Sequence, residues 1–287
     1  MDPKNVSIVM PALNEAEGVG HMVRGLVATF PTAEIIVIND GSSDDTAKIA
    51  AAAGAHVITH DRNRGYGASL RTGTEAATRD YVLFCDSDGQ HTVEDIGRVM
   101  EACEDSHMVV GARRDTSHVP LARRPGKYVL RKFANYLADE QIPDLNSGLR
   151  IVNRPILKKY LHLMPRGFSF STTTTFAMLK TDRRVKWIPI TVRKRVGVSS
   201  IRQWKHGPQT ALLMLRLTVL FEPLRVFLTI ASCLAVFTML SLTVDLVVSS
   251  GTDVGDSTVM LALTTLLVFL FGLLCDEVSS LRRESHE

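Results

Sequence analysis

Tyr81-Val82-Leu83-Phe84-Cys85 is an apolar run that stops at Asp86-Ser87-Asp88-Gly89-Gln90-His91. Two carboxylates two residues apart, followed by an amide, offer three hard oxygen ligands on one turn. Such a set suits Mg2+ or Mn2+, which prefer oxygen donors and keep positions open for phosphate oxygens. A carboxylate pair of this kind is often only a solvated loop. At the end of a buried strand, metal binding by Asp86, Asp88 and Gln90 is the stronger reading. His91 is an ordinary loop histidine or a further ligand. A cation held there would neutralise a diphosphate leaving group.

Other turns carry polar groups at comparable places. Ile35-Ile36-Val37-Ile38-Asn39 runs into Asp40-Gly41-Ser42-Ser43-Asp44-Asp45-Thr46. At a strand tip, Asp40 can accept hydrogen bonds from a base or a ribose, or it can form an Asx turn. Asp44 or Ser43 can cap the next helix. Val6 to Met10 runs into Pro11-Ala12-Leu13-Asn14-Glu15, and Asn63-Arg64-Gly65-Tyr66-Gly67 has the glycines that admit a ligand close to backbone. The first turn lacks GxGxxG and the chain lacks GxxxxGK[ST], which removes the dinucleotide-binding and P-loop readings.

The elements that must position these turns alternate. Strands are expected at 6–10, 35–39, 57–59, 81–85 and 108–111, with helix-like stretches at 15–28, 44–53, 68–77 and 93–103. Apolar, non-alternating strands separated by helices predict a mostly parallel α/β sheet. Ligands bind such sheets at the carboxyl ends of the strands, where the turns above fall.

Charge is segregated along the 287 residues although the formal net charge is only +3. Arg113 to Lys132 holds seven Lys/Arg and one acid, and Lys180 to Arg225 holds eleven and two. Val226 to Leu281 holds no Lys or Arg. Arginine forks suit phosphate, and a basic face also suits anionic lipid. Nucleic acid is not expected, because aromatics are not interleaved with these charges. The four cysteines form no CxxC pair, which argues against a disulfide framework and a zinc site. No secretory signal peptide is expected at the N-terminus.

Val226–Val244 and Ser257–Cys275 are each uncharged for nineteen residues. A hydrocarbon core of roughly 30 Å needs about 20 helical residues, so each run can span it. The pair predicts a transmembrane hairpin with spans at about 226–248 and 257–275. Arg216 and Arg225 precede it and Arg282 and Arg283 follow it, so both ends are expected in the cytoplasm. Residues 206–225 read as an interfacial amphipathic helix or one packed on the soluble part. The expected division is therefore 1–205, 206–225 and 226–287.

The PALNE, INDGSSDDT, NRGYGASLRTG and CDSDGQH segments resemble family 2 glycosyltransferases of the GT-A fold. GARR, DLNSGLRIVNR and RKRVGVSSIR resemble the polyprenyl-phosphate glycosyltransferase branch, which includes dolichyl-phosphate mannose synthase. The resemblance covers roughly residues 5–205 and extends to the two-span tail. It implies that Pro11, Ala12, Asn14, Glu15 and Asp40 hold the nucleoside, and that Asp86, Asp88 and Gln90 hold metal and diphosphate. It implies Arg113 and Arg131 for the acceptor phosphate, with Arg123 and Arg124 competing for the second place. Arg195 and Arg202 fall near the donor diphosphate or the acceptor, and Asp144 matches an acidic position before SG.R. Asp88, Arg113 and Arg131 would then be the catalytic groups.

One departure bears on mechanism. Many members carry an acid where this chain reads FSFSTTTTF, with Ser171 and Thr172. A sugar acceptor that needs a base finds less support. A phosphate monoester is already anionic at neutral pH and needs none. The expectation is an inverting transfer from a UDP- or GDP-hexose to a dolichyl or undecaprenyl phosphate at the cytoplasmic face of the plasma membrane. Transfer to another lipid or glycan is the alternative, and a non-catalytic membrane scaffold is the second. A homo-oligomer is left open.

Overall fold

The computed structural model describes residues 1–113, 132–165, 167, 169–191, 207–248 and 253–284. The five apolar runs become β1 (Val6–Ala12), β2 (Glu34–Asn39), β3 (His56–Thr59), β4 (Tyr81–Phe84) and β5 (Met108–Arg113). Between them lie α1 (Ala16–Thr29), α2 (Thr46–Ala52), α3 (Tyr66–Ala76) and α4 (Val93–Glu101). Residues 132–138 are helical (α5). Then follow β6 (Arg150–Asn153), α6 (Arg154–Tyr160), α7 (Phe170–Leu179) and β7 (Val185–Ile190).

The sheet has seven strands in the order β3-β2-β1-β4-β6-β5-β7. β6 runs antiparallel to both its neighbours, and the other pairings are parallel. β6 and β7 had no apolar run to announce them. β6 is four residues long and opens on an arginine, and β7 is an edge strand with exposed Lys186 and Pro189.

β1 is buried along its whole length, and alternation assigns its two faces. Val6, Ile8 and Met10 join one core with Val19, Val23 and Leu26 of α1 and with Ile96 and Val99 of α4. Val9 points the other way, onto Gly73 of α3. Each fully buried aliphatic side chain contributes about 1.5–3 kcal/mol. This clamping of β1 and β4 fixes where their carboxyl ends stand.

The chain divides into two compact units, Met1–Met214 and Leu215–Glu287. The division falls within α8 (Gly207–Phe221). α8 stops short of the expected end at 225, and Pro223 opens α9 (Pro223–Val248), as suits a residue without an N–H. α10 (Asp256–Glu284) returns alongside α9. The stretches long and apolar enough to span a membrane are Pro223–Val248 and Asp256–Leu281, longer than the expected spans because helix continues past Cys275. Almost nothing of either is buried, with Val236, Met239, Met260 and Leu267 each more than 60% exposed. A soluble core helix would show the reverse.

The hairpin seam carries specific contacts. Phe227 and Phe271 meet edge to face at 5.4 Å. Thr238 and Thr265 hydroxyls lie 3.3 Å apart, and those of Ser241 and Thr258 2.5 Å apart. Asp245 Oδ2 accepts from the Thr258 hydroxyl at 2.6 Å and from the Gly255 N–H at 2.9 Å. Asp245 thus supplies an acceptor for the orphan amides at the start of α10.

Candidate active site

The turns after β1 and β2 are laced to each other. Asn14 takes a left-handed φ of 54° and accepts from Ser43 N–H at 2.9 Å through Oδ1. Its own N–H donates to the Ser42 hydroxyl at 3.0 Å. Glu15 N–H donates to Thr46 Oγ1 at 2.9 Å, and Ala16 N–H to Asp44 Oδ2 at 3.2 Å. Asp44 also accepts from Thr46 N–H at 3.0 Å, so one carboxylate serves the first turns of α1 and α2. Slight burial opposes its charge, but the Thr46 hydroxyl and these amides hold its carboxyl below the ordinary value. The polar side chains of the INDGSSDDT turn therefore spend themselves on the amides that open α1.

Asp40, expected to face a nucleoside, is 4% exposed. Its Oδ1 accepts from Arg64 N–H at 2.8 Å and lies 2.7 Å from His60 Nδ1, while Oδ2 accepts from Gly65 N–H at 2.8 Å. His60 Nε2 in turn lies 3.0 Å from the Thr72 hydroxyl. Asp40 thus anchors the glycine loop at the start of α3. Gly41 permits this approach, since its φ is 72° and a Cβ would lie 2.6 Å from the Arg62 carbonyl carbon. Pro11 and Ala12 are buried at the end of β1. His60 went unnoticed in the sequence because a lone histidine in HDRN carries no pattern.

β4 ends at Phe84 and delivers Asp86 and Asp88 beside these turns. Ser87 turns inward and donates to Pro11 O at 2.9 Å, which fixes the turn against β1. Asp88 is 5% exposed and accepts from Gln90 N–H at 3.1 Å. Asp86 accepts from the Tyr66 hydroxyl at 3.1 Å and lies 3.6 Å from His91 Nε2. Burial alone would raise the Asp86 carboxyl. His91, the Tyr66 hydroxyl and the Arg113 charge outweigh it and keep the carboxyl below its usual value. Burial and then Asp86 push the Tyr66 phenol well up, so Tyr66 stays a donor.

Arg113 leaves the end of β5 and meets Asp144, donating from Nε at 2.6 Å and Nη2 at 2.9 Å. Asp144 also accepts from Arg113 N–H and Asn146 N–H, both at 3.2 Å. Gly148 closes over Asp86, where a Cβ would sit 2.6 Å from Oδ2. Arg150 is 1% exposed and donates to Ser147 O, to Ser171 O at 2.6 Å and to Thr175 Oγ1 at 3.2 Å. Burial pulls its pKa down to about 10, against the pull of Tyr66, Asp144 and Asp86, so it remains a cation at neutral pH. Tyr66 and Arg150 were missed in the sequence, although an arginine set among apolar residues in GLRIV was a usable signal. Arg131, Arg195 and Arg202 lie outside the described residues.

The donor set fits a hard divalent cation. Among the described residues no group of three or more His, Cys, Asp or Glu side chains is placed to hold a metal ion, so a cation here would rest on the two carboxylates and an amide. Two carboxylates and the Gln90 amide leave coordination positions for phosphate and water, as Mg2+ and Mn2+ require. The buried Nδ1 of His91 has no hydrogen-bond partner. His91 thus meets Asp86 through Nε2 alone.

A helix-flanked, mostly parallel sheet with this carboxylate turn at the end of β4 and an arginine at the end of β5 defines a core of the GT-A type. The chain belongs to glycosyl transferase family 2, whose model matches residues 7–161, and residues 222–281 match the GtrB C-terminal hairpin. Among curated relatives, the low-salt glycan biosynthesis hexosyltransferase Agl6 of Haloferax volcanii is 28% identical over 212 residues, 70% of this chain and 51% of that protein. The undecaprenyl-phosphate 4-deoxy-4-formamido-L-arabinose transferase of Klebsiella pneumoniae is 29% identical over 198 residues, 65% of this chain and 59% of that protein. The chain thus spans little more than half the length of these relatives. Among solved structures, glucosyl-3-phosphoglycerate synthase of Mycobacterium tuberculosis, in complex with Mn2+, UDP and phosphoglyceric acid, shares the fold. Its TM-score is 0.62 at 20% identity, covering 75% of this chain and 78% of that one.

Proposed function

We propose that this chain is a glycosyltransferase that moves a sugar, with inversion, from a UDP- or GDP-hexose to a polyprenyl phosphate at the cytoplasmic face of the membrane. The observation that carries the reading is the Asp86–Asp88 turn after β4 with Arg113 at the end of β5, whose charge acts on Asp86. Asp86, Asp88 and Gln90 would hold Mg2+ or Mn2+, which when bound would neutralise the diphosphate leaving group. Pro11, Ala12, Asn14, Glu15 and Asp40 form the nucleoside side, with Arg195 and Arg202 completing the donor site. Arg113 and Arg131 orient the acceptor phosphate by their charge and fork geometry.

α7 supports a phosphate acceptor. Its buried first turns offer Ser171, Thr172, Thr173 and Thr174, and no carboxylate. A general base is absent from the place where the family resemblance suggests one. A phosphate oxygen attacks without deprotonation, so positioning and charge stabilisation suffice.

On this reading residues 1–205 are the catalytic part, 206–225 an interfacial helix and 226–287 the hairpin and tail. The relatives whose names include undecaprenyl phosphate support a lipid acceptor, and the basic flanks of the hairpin support a cytoplasmic site. The test is incubation of the full chain with a panel of radiolabelled UDP- and GDP-hexoses and either undecaprenyl or dolichyl phosphate. A chloroform-soluble, mild-acid-labile product is expected. Its absence with every donor and both lipids would overturn the proposal.

A further inference from the structure

Among the described residues Arg150 is the largest fully buried side chain, and its hydrogen-bond acceptors are all neutral. A buried cation without a carboxylate in contact is costly, and a well-packed apolar side chain of similar size often serves a fold better. What Arg150 does have is a planar fork that joins two separate segments. One edge binds Ser147 O in the stretch after Asp144, and the other binds Ser171 O and Thr175 Oγ1 in α7.

The Ser147 stretch carries three groups of the site. Asp144 grips Arg113, Asn146 accepts from the Thr172 hydroxyl at 3.0 Å, and Gly148 covers Asp86. Ser147 itself donates to Gly111 O of β5 at 2.5 Å. Its hydroxyl fixes one edge of the stretch and Arg150 the other. A shift of Ser147 would move Asp144, and with it Arg113, relative to Asp86.

The geometry points to Arg150 as a positioning residue that sets the distance between the acceptor arginine Arg113 and the donor turn at Asp86. This assignment rests on the glycosyltransferase reading above. Arg150 is 1% exposed and acts through the Ser147 and Ser171 carbonyls. A lysine keeps the charge but cannot reach both segments with one planar group.

The test uses Arg150→Lys and Arg150→Met in the full chain, in detergent, with undecaprenyl phosphate and the hexose donor that labels the wild type. The acceptor KM of Arg150→Lys should rise roughly ten- to a hundredfold while the donor KM stays within about twofold. Hydrogen exchange should quicken in residues 144–149 and leave β1 and β2 unchanged. A purely structural role would lower the active fraction and kcat with both KM values unmoved. That result, or unchanged exchange at 144–149, overturns the assignment. If Arg150→Met fails to fold, Arg150→Lys still decides. A wild type that labels no lipid overturns the glycosyltransferase reading instead, and the exchange measurement then still judges the Arg150 bridge by itself.

Discussion

Arg113 and Asp144 face each other through two near-parallel hydrogen bonds of 2.6 and 2.9 Å, and the same carboxylate also holds the Arg113 backbone N–H. The side chain of Asp144 is 10% exposed and that of Arg113 44%. Burial opposes the Asp144 charge, but Arg113 overrides it and holds the carboxyl below its usual value. The pairing uses one edge of the guanidinium, and among the described residues no hydrogen bond is made by Nη1. Asp144 therefore presents Arg113 with its free edge available to an anion.

Asp144→Asn removes the charge and one of the two strong acceptors. The acceptor KM is expected to rise about tenfold with the donor KM little changed, as befits a misplaced orienting arginine. The loss in stability should be no more than about 1 kcal/mol, because Arg113 is partly solvated. Steady-state kinetics with varied undecaprenyl phosphate checks the first expectation and thermal melting the second. An unchanged acceptor KM would show that Arg113 orients itself without Asp144.

Gly148→Ala places a Cβ 2.6 Å from Asp86 Oδ2, and neither the backbone nor the carboxylate has an easy retreat. Asp86 is already tied to Tyr66 and His91. Transfer is expected to fall about a hundredfold from displacement of the carboxylate. Mn2+-dependent nucleotide binding should weaken in parallel, which isothermal titration with UDP and GDP reads directly. Retained nucleotide affinity in the folded variant would place the Asp86 carboxylate outside donor binding.

The first half of the sheet was legible because each of β1, β2 and β4 is a mostly apolar run ending in a polar turn, and such runs mark strands buried on both faces. β6 was not legible because Arg150 interrupts its apolarity, and the reason for that arginine lies in α7, distant in sequence. The Asp86–Asp88 turn could be read from its spacing together with the apolar run of β4 before it. The bonds of Asp40 to His60, Arg64 and Gly65 could not, because they join residues 20 to 25 positions apart through tertiary structure. Likewise the FSTTTT run named no carboxylate, but only the fold shows that Thr172 there donates to Asn146 beside the Arg113–Asp144 pair.

Glu34 links β2 to β1 and to the segment before β4. It accepts from the Ser7 hydroxyl, from Thr78 N–H at 2.9 Å and from the Thr78 hydroxyl at 3.1 Å. Burial would raise its carboxyl, but the bonds from Ser7 and Thr78 outweigh burial and hold it below 4.5. The folded-state value is thus the lower one. The stabilisation is complete above the unfolded-state value and is lost as pH falls through the folded-state value. Glu34→Gln should melt below wild type near neutral pH, by at most about 1 kcal/mol in stability after solvent screening. The two melting curves should converge as the pH drops below 4.5. A gap that stays constant into acid would mean that the carboxylate charge contributes nothing.

Asp88 gives the sharpest separation between an enzyme and a scaffold. It is buried at the turn after β4, and its Oδ1 meets the Gln90 N–H at 3.1 Å. Asp88→Asn keeps the shape and that hydrogen bond but removes the charge a divalent cation needs. Transfer should fall about a hundredfold or more, comparable to losing a preorganised charge-stabilising group. Chelation of the wild type with EDTA should give the same loss, and added Mg2+ or Mn2+ should restore the wild type but not Asp88→Asn. The paired measurement matters because chelation alone can act on lipid or assay components, whereas the variant acts only at the turn. Full transfer by Asp88→Asn would remove the metal from this site, and an unaltered cellular phenotype with Asp88→Ala would favour a scaffold over a transferase.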